Sequence, residues 1–219
     1  MGRVSQAQAQ ENRRNVVRTA GRLFRERGID GVSVADVMAA AGLTHGGFYK
    51  QFESKDALVV EAIAQAFAEQ AEKLRHYRDQ PDQAAARSDF VTGYLSPEHR
   101  DDPGPGCPTA GFGGDLARAE NETPAREAYA AGIDRYSRWL GSESEPDLVA
   151  VSTMVGAVLL ARATAGLEIS DQILEAARQA LISRPAAASA AAPAAAASPA
   201  PAAASPAAAS PAPELGGQQ

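Results

Sequence analysis

Residues 33–55 read SVADVMAAAGLTHGGFYKQFESK, and this stretch decides the fold. Ser33 and Asp36 have the spacing of a helix N-cap and of the acidic residue that reciprocates the cap. Apolar residues repeat at helical spacing between them and the turn: Val34, Val37, Met38 and Ala41. Gly42 can adopt the left-handed conformation that closes a helix, and Thr44 can cap a second one. The stretch therefore predicts two short helices joined by a tight turn.

The second of these helices, residues 44–50, contains Gly46 and Gly47, and each glycine costs a helix about 1 kcal/mol relative to alanine. A missing side chain lets the backbone approach another surface closely, which suits a helix inserted into the major groove of DNA. The side chains left to contact phosphates or base edges are Thr44, His45, Tyr49 and Lys50. A poorly formed surface helix is the alternative interpretation of the same residues.

The features around this helix pair follow a specific order. A helix closed by Phe24 and Gly28 precedes the pair, and Phe52 and a long helix capped by Ser54 follow it. Over about residues 12–62 the arrangement resembles the DNA-binding domain of the TetR/AcrR family of transcriptional regulators. The residues that carry the resemblance are Phe24, Gly28, Gly31, Ser33, Val34, Val37, Ala41, Gly42, Leu43, Gly47, Phe48, Tyr49, Phe52, Lys55 and Leu58.

The resemblance implies an all-α protein with an N-terminal three-helix helix-turn-helix domain and a C-terminal helical domain for ligand binding and dimerisation. It also implies which residues contact double-stranded DNA, with a phosphate contact for Lys55. These residues are Ser33, Thr44, His45, Gly46, Tyr49, Lys50 and Lys55. Most family members have threonine where this chain has Ser33. Serine also carries a hydroxyl, so the cap is kept.

Composition and the resemblance together divide the chain into four parts. The polar residues 1–11 predict a flexible arm, and the resemblance implies that residues 12–54 are the helix-turn-helix domain and residues 55–184 a helical regulatory and dimerisation domain. Residues 185–219 are rich in Pro, Ala and Ser, and we expect a disordered tail because the prolines interrupt any long helix. Helical spacing predicts helices over about residues 12–27, 54–78, 83–95, 109–119, 123–140, 147–165 and 171–182, the last capped by Ser170.

Charge is distributed unevenly along the sequence. The chain carries a net charge of -6, but residues 1–55 contain nine Lys or Arg against five Asp or Glu, a net charge of +4. The remaining twelve basic and twenty-two acidic residues give the rest of the chain a net charge of -10. Arg14, Arg18, Arg22 and Arg25 form one basic stripe on the first helix. A basic N-terminal region attracts the phosphate backbone of DNA, and an acidic remainder discourages binding through other faces.

The sequence predicts a cytoplasmic protein without a membrane partner. A single cysteine excludes an internal disulfide framework, and the polar N-terminus lacks the apolar core of a signal peptide. The longest apolar run, residues 148–161, ends at Arg162 and is shorter than the roughly 20 residues that a membrane span requires.

The middle of the chain is rich in aromatic and soft apolar residues around a glycine-rich segment at residues 109–119. A nucleotide-binding loop is disfavoured there, because no strand precedes the glycines and no Gly-Lys-Ser/Thr follows them. The resemblance implies a pocket among these helices, and the composition indicates a small hydrophobic or planar organic effector. The candidate ligand-binding residues are Phe90, Tyr94, Cys107, Phe112, Tyr129, Tyr136, Trp139 and Met154, with ordinary core packing as the alternative for each.

The last two predicted helices, residues 147–165 and 171–182, carry more apolar surface than one core needs. The resemblance implies that these two helices from each subunit form a four-helix homodimer interface. A deeply buried monomer core is the alternative interpretation.

Three functional hypotheses follow. The leading one is a repressor that binds a palindromic operator as a homodimer and is released by the effector. The second is a thiol-based redox or electrophile sensor acting through Cys107, and the third is an enzyme with a helical DNA-binding-like head. Catalysis by Cys107 and His99 lacks a third orienting group, and the histidines and the cysteine show no metal-ligand spacing, so we expect no enzyme, metal or cofactor.

Overall fold

The fold is seen in a computed structural model that describes residues 6–119, 123–142 and 144–183. In these ranges the regular structure is entirely helical, which confirms the predicted all-α class with its N-terminal helix-turn-helix region. Most of the helix bounds agree with the apolar spacing to within a few residues. The elements are α1 (Gln6–Arg27), α2 (Val34–Ala40), a 3-10 helix (His45–Lys50), α3 (Lys55–Arg78), α4 (Gln83–Tyr94), α5 (Pro97–Asp101), α6 (Pro108–Arg118), α7 (Thr123–Leu140), α8 (Leu148–Ala163) and α9 (Glu168–Ile182).

Local capping explains where the N-terminal helices begin and end. The Ser33 hydroxyl accepts a hydrogen bond from the Asp36 backbone N–H at 3.1 Å, and the Asp36 carboxylate accepts one from the Ser33 N–H at 2.9 Å. Gly28 closes α1 with a φ of 80°, and Gly42 closes α2 with a φ of 72°, a backbone conformation that side-chain-bearing residues rarely adopt. The Ser54 hydroxyl caps α3 by accepting a 3.0 Å hydrogen bond from the Ala57 N–H.

Two hydrophobic clusters form the interior. The first joins α1, α2, the 3-10 helix and the first half of α3, and it continues into α6 and α7 through Phe112, Leu116 and Ala125. The second lies among α4 and α6 to α9, around Tyr136 and Met154, and takes in Leu74 from the end of α3. Because α3 contributes side chains to both clusters, it connects the helix-turn-helix region to the other helices.

The first helix is longer than the sequence indicated. Residues 6–11 were expected in a flexible arm, but α1 begins at Gln6, and residues 1–5 lie outside the described part of the chain. The alternation of glutamine and alanine from Gln6 to Gln10 favours helix, since these residues lose little side-chain freedom on folding. The predicted tail at residues 185–219 also lies outside the described residues.

Three further elements differ from the sequence-based expectation. Residues 45–50 form a 3-10 helix rather than an α-helix, because two glycines weaken it and the Thr44 side chain makes no capping hydrogen bond. The short helix α5 lies between the helices predicted over residues 83–95 and 109–119, where the apolar spacing predicts none. Ser170 does not cap α9, which begins at Glu168; it is buried, and its hydroxyl donates to the Ala161 carbonyl at 2.8 Å.

No helix within the described ranges is both long enough and apolar enough to cross a membrane.

Candidate nucleic-acid interface and cavity

The 3-10 helix is anchored by two buried aromatic rings. The Phe48 side chain is completely buried, and its ring stacks on Phe52 with a centroid separation of 5.3 Å. The Arg13 guanidinium lies over the Phe52 ring, 4.5 Å from its centroid, and forms an ion pair with Glu61. The burial of these rings gives the short helix the stability that its own sequence lacks.

The residues predicted to contact DNA on this helix all face solvent. Thr44, His45, Gly46 and Lys50 are exposed, and the Tyr49 side chain is 68% exposed, which is high for an aromatic residue. The Tyr49 ring makes T-shaped contacts with Phe48, at a centroid separation of 5.1 Å, and with His45, at 6.1 Å. These contacts orient the ring although it remains exposed to solvent. The helix thus exposes polar groups and one aromatic ring to solvent, while the buried Phe48 and Phe52 rings hold it in place.

Ser33 and Lys55 differ from these residues because both are engaged in intramolecular hydrogen bonds. The Ser33 hydroxyl belongs to the capping box of α2, and these bonds lower the pKa of the Asp36 carboxyl. The half-buried Lys55 amine donates to the Ile29 carbonyl at 2.7 Å, in the turn after α1. A lysine ammonium has three donors, so this bond leaves donors for a phosphate.

The arginine stripe of α1 does not act as one surface. Arg14 pairs with Glu11 at 2.6 Å and Arg22 with Glu26 at 2.8 Å, both within the helix. Arg25 points toward the other helices, where its Nε donates to the Gly104 carbonyl at 2.8 Å. In the described part of the chain only Arg18, of the four, has no such partner, so the stripe is interrupted by intramolecular pairing.

A half-open cavity of about 370 Å³ lies where α1, α3 and α4 meet the segment before α6. It brings together three of the predicted ligand-binding residues, Phe90, Tyr94 and Cys107. The residue spacing within α1 and within α3 does not predict that their polar residues line one cavity, because that depends on how helices distant in sequence pack together. The further lining residues are Arg25, Ala66, Glu69, Gln70, Lys73, Leu74, Tyr77, Gly93, His99, Pro105 and Gly106.

The other five predicted ligand-binding residues do not line this cavity. Phe112 and Met154 are fully buried in the two hydrophobic clusters. Tyr136 is buried as well, and the Tyr129 hydroxyl donates to the Thr109 carbonyl at 2.7 Å. Trp139 packs edge-on against Phe90 with a centroid separation of 4.7 Å, so it contacts a cavity wall from outside.

His99 and Cys107 are connected through the backbone rather than through their side chains. His99 Nδ1 donates to the Tyr94 carbonyl at 2.7 Å, and Nε2 accepts from the Cys107 backbone N–H at 3.1 Å. The ring is therefore neutral, and burial, followed by the nearby Arg162 and Lys73, lowers the His99 pKa. The Cys107 thiol accepts a weak hydrogen bond from Gln70 Nε2 at 3.5 Å, and the residue is only 5% exposed.

Comparison with known proteins separates the two regulator hypotheses from the enzyme hypothesis. The family model described as bacterial regulatory proteins, tetR family, matches residues 16–62, which include α2 and the 3-10 helix. A TetR transcriptional regulator from Chloroflexus aurantiacus has a similar structure, with 26% identity and a TM-score of 0.65 over 81% of this chain and 96% of that one. Residues 16–62 belong to the TetR family. The protein is a DNA-binding transcriptional regulator and not an enzyme.

Other relatives of this TetR-family regulator match either the N-terminal region or most of the chain. The regulator AcrR of Shigella flexneri is 36% identical over 61 residues, a match that spans only 28% of either chain. An uncharacterized HTH-type transcriptional regulator of Mycobacterium tuberculosis is 28% identical over 78% of this chain and 94% of its own length. The reduced form of Escherichia coli NemR shares the fold, with 20% identity and a TM-score of 0.63 over 78% of this chain and 95% of that one.

Proposed function

We propose that this TetR-family regulator is a cytoplasmic repressor that binds a palindromic operator as a homodimer and is released by a small hydrophobic or planar organic effector. The observation that carries the proposal is the exposed polar and aromatic surface of the 3-10 helix, seated on the buried Phe48 and Phe52 rings. Residues 12–54 would form the DNA-binding domain and residues 55–184 the regulatory and dimerisation domain.

The DNA-contacting surface comprises the capped start of α2, the 3-10 helix and the start of α3. Gly46 lets the backbone approach the groove, Tyr49 and Lys50 reach outward, and Lys55 contacts a phosphate while it holds the Ile29 carbonyl. The full set is Ser33, Thr44, His45, Gly46, Tyr49, Lys50 and Lys55.

Dimerisation through α8 and α9 is supported by apolar side chains that the monomer leaves uncovered. Leu160 is 59% exposed on α8, and Gly156 beside it has open space where a side chain would be, which allows close approach of another helix. Further exposed apolar residues on these two helices and the turn between them are Leu148, Val149, Leu159, Leu167, Ile169 and Ile182. A patch of this kind favours self-association of two copies.

Release by an effector is supported by the position of the cavity along α3. Lys55 at the start of α3 belongs to the DNA-contacting surface, and Lys73 and Tyr77 near its end line the cavity. A ligand that favours one arrangement of α3 would change the orientation of the DNA-binding domain. Thermodynamic linkage then requires DNA and ligand to weaken each other by the same factor, commonly about 5- to 150-fold.

Selection of bound duplexes from a random pool tests the DNA-binding part of the proposal. We expect one enriched palindrome, and operator affinity that falls in the Tyr49→Ala, Lys50→Ala and Lys55→Ala variants. Each lost phosphate contact reduces the slope of log K against log salt by about 0.9 per subunit. Arg75→Ala serves as the control, because Arg75 is an exposed cation on α3 that pairs with Glu72. Unchanged affinity in all three variants would overturn the assigned contacts.

A titration of hydrophobic ligands tests the effector part. Trp139 reports on the cavity because it packs on Phe90 at 4.7 Å, so a bound ligand should alter its fluorescence. The affinity is measured with and without operator. A ligand that binds equally well in both cases occupies the cavity without releasing DNA, which would contradict effector control.

Thiol sensing through Cys107 is the second candidate, and one observation favours it. Cys107 lines the cavity and is the N-cap residue of α6, and a helix N-terminus attracts anionic groups. Cys107→Ser should abolish a response to oxidants or electrophiles and leave a response to a noncovalent ligand intact. Loss of operator release by hydrogen peroxide or by N-ethylmaleimide in this variant alone would support thiol sensing over the leading proposal.

A further inference from the structure

The cavity wall carries more positive than negative charge. Arg25 and Lys73 both line it, and in the described part of the chain neither forms an ion pair. Arg25 Nε donates to the Gly104 carbonyl at 2.8 Å, and the Lys73 amine donates to the Pro105 carbonyl at 2.9 Å. Because both acceptors are neutral carbonyls, these bonds do not neutralise the two positive charges. Among the described lining residues the one carboxylate, Glu69, accepts a hydrogen bond from Gln65 at 3.0 Å. The cavity therefore keeps an excess of one positive charge.

A buried hydrogen-bond donor lies in the same wall. Tyr94 is only 6% exposed, and its hydroxyl has no hydrogen-bond partner among the described residues. Burial, reinforced by the neighbouring Cys107 thiol, raises the pKa of Tyr94 well above its ordinary value of 10.0, so the hydroxyl stays protonated. An unpartnered buried hydroxyl is costly in a folded protein unless a ligand completes it.

Part of the remaining wall is aromatic. The Tyr77 ring meets Phe90 at 5.4 Å, and Phe90 meets Tyr94 at 5.9 Å, so three rings form a continuous apolar side. A volume of about 370 Å³ is at the small end of ligand cavities and accommodates one or two fused or linked rings.

We propose that the effector of this regulator is an aromatic carboxylate. Its anionic group pairs with Arg25, with Lys73 and the Tyr94 hydroxyl as additional donors, and its ring packs against Tyr77 and Phe90. This inference rests on the proposed effector-controlled function and specifies the chemical class of the effector. Since Arg25 belongs to α1, the anion contacts a helix of the DNA-binding domain itself as well as α3.

Isothermal titration calorimetry of the full chain tests this proposal with matched probes. The anions are benzoate, 2-naphthoate and biphenyl-4-carboxylate, and each is compared with its neutral amide of the same shape. At least one carboxylate should bind about tenfold or more tightly than its amide, because hydrogen bonds to charged groups are stronger than neutral ones. If no carboxylate binds, or if none binds more tightly than its amide, the proposal is wrong.

Substitutions locate the anion. Arg25→Gln should reduce the preference for carboxylate over amide to about threefold or less, whereas Arg18→Gln on the same helix should leave it unchanged, because Arg18 does not line this cavity. Lys73→Gln gives a second measurement at an exposed residue, in case Arg25→Gln lowers the amount of folded protein. A preference that survives both cavity substitutions would overturn the proposed site.

Operator binding measured with the same probes separates this inference from the function on which it rests. If the carboxylates bind preferentially but operator affinity is unchanged, the anion site stands and effector release fails. If neutral amides release the operator as effectively as the carboxylates, effector release stands and the anionic class is wrong.

Discussion

At the scale of single residues, Gly46 and Gly47 have different surroundings although they are neighbours in sequence. A Cβ added at Gly46 would meet nothing within 4 Å, whereas one at Gly47 would lie 3.6 Å from Met38 Cε, an ordinary contact with the interior. Neither glycine has a positive φ, so alanine is compatible with both backbones. The two positions therefore separate the effect of a glycine on folding from its effect on DNA binding.

Gly46→Ala should leave the melting temperature unchanged or raise it slightly, by the equivalent of about 0.4 to 1 kcal/mol, because alanine restricts the unfolded chain. The same substitution should weaken operator binding about tenfold or more if the bare backbone approaches the groove. Gly47→Ala is the matched control, with similar stability and nearly unchanged affinity. Equal affinities for both variants and the native chain, measured by fluorescence anisotropy, would show that close approach at Gly46 is not needed.

His99 makes stability depend on pH. Its Nε2 must stay unprotonated to accept from the Cys107 N–H, and its folded pKa lies below the ordinary value of 6.5. The unfolded state therefore binds a proton more readily, so the stabilising effect is fully present above pH 6.5 and is lost as pH falls through the folded pKa. We expect the urea midpoint to fall between pH 7 and pH 5, and this dependence to weaken in His99→Gln. His76→Gln, at an exposed histidine on α3, should retain it; identical profiles for both variants would contradict the role of His99.

At the scale of elements, the contact between α3 and α7 depends on one glycine. A Cβ at Gly132 would come within 2.3 Å of the Phe67 ring, which is itself buried and packed edge-on against Tyr129 at 5.8 Å. A side chain at this position must displace Phe67 or separate the two helices. The approach of α7 to α3 is therefore set by the absence of a side chain.

Gly132→Ala should lower the free energy of unfolding by about 1 to 3 kcal/mol, the usual range for an overpacked core. Gly93→Ala is the matched control, because it lies in α4 with nothing within 4 Å of an added Cβ and gains up to about 1 kcal/mol of helix propensity. Thermal melts followed by circular dichroism compare the two variants. A Gly132→Ala variant as stable as Gly93→Ala would mean that the two helices adjust without strain.

The sequence predicts these elements well where the signal is local. The Ser33 capping box, the Ser54 cap and the left-handed Gly42 each depend on residues within a few positions, and all three were predictable. Ser170 was misassigned as a cap because its hydroxyl is used by partners on other helices, the Ala161 carbonyl and Arg100 Nη1. The orientation of Arg25 toward the cavity likewise depends on tertiary packing, so the sequence periodicity of α1 does not predict it.

At the scale of the whole molecule, the uncovered apolar surface of α8 and α9 predicts the assembly. Leu160→Arg should prevent dimer formation, since burying an unpaired charge costs several kcal/mol. Light scattering after gel filtration should then give a mass near that of one 22.7 kDa chain. Ala130→Arg, at an exposed position on α7, is the control and should leave the native mass unchanged.

Operator affinity provides the second measurement on the Leu160→Arg variant. A monomer contacts one half-site only, so affinity for the full palindrome should fall to about that for an isolated half-site. A monomeric variant that binds the palindrome with native affinity would contradict the proposed dimeric recognition. A variant that remains dimeric would instead exclude this face as the interface.

The buried pair Phe48 and Phe52 also has an evolutionary consequence for the exposed residues above it. Folding of the 3-10 helix depends on those rings, whereas the Thr44, His45, Tyr49 and Lys50 side chains make few packing contacts. Substitutions at these four positions can therefore accumulate after a gene duplication with little loss of folded protein. Two descendants of one ancestral regulator could diverge to different operators through neutral intermediates, while the same two phenylalanines are retained in both.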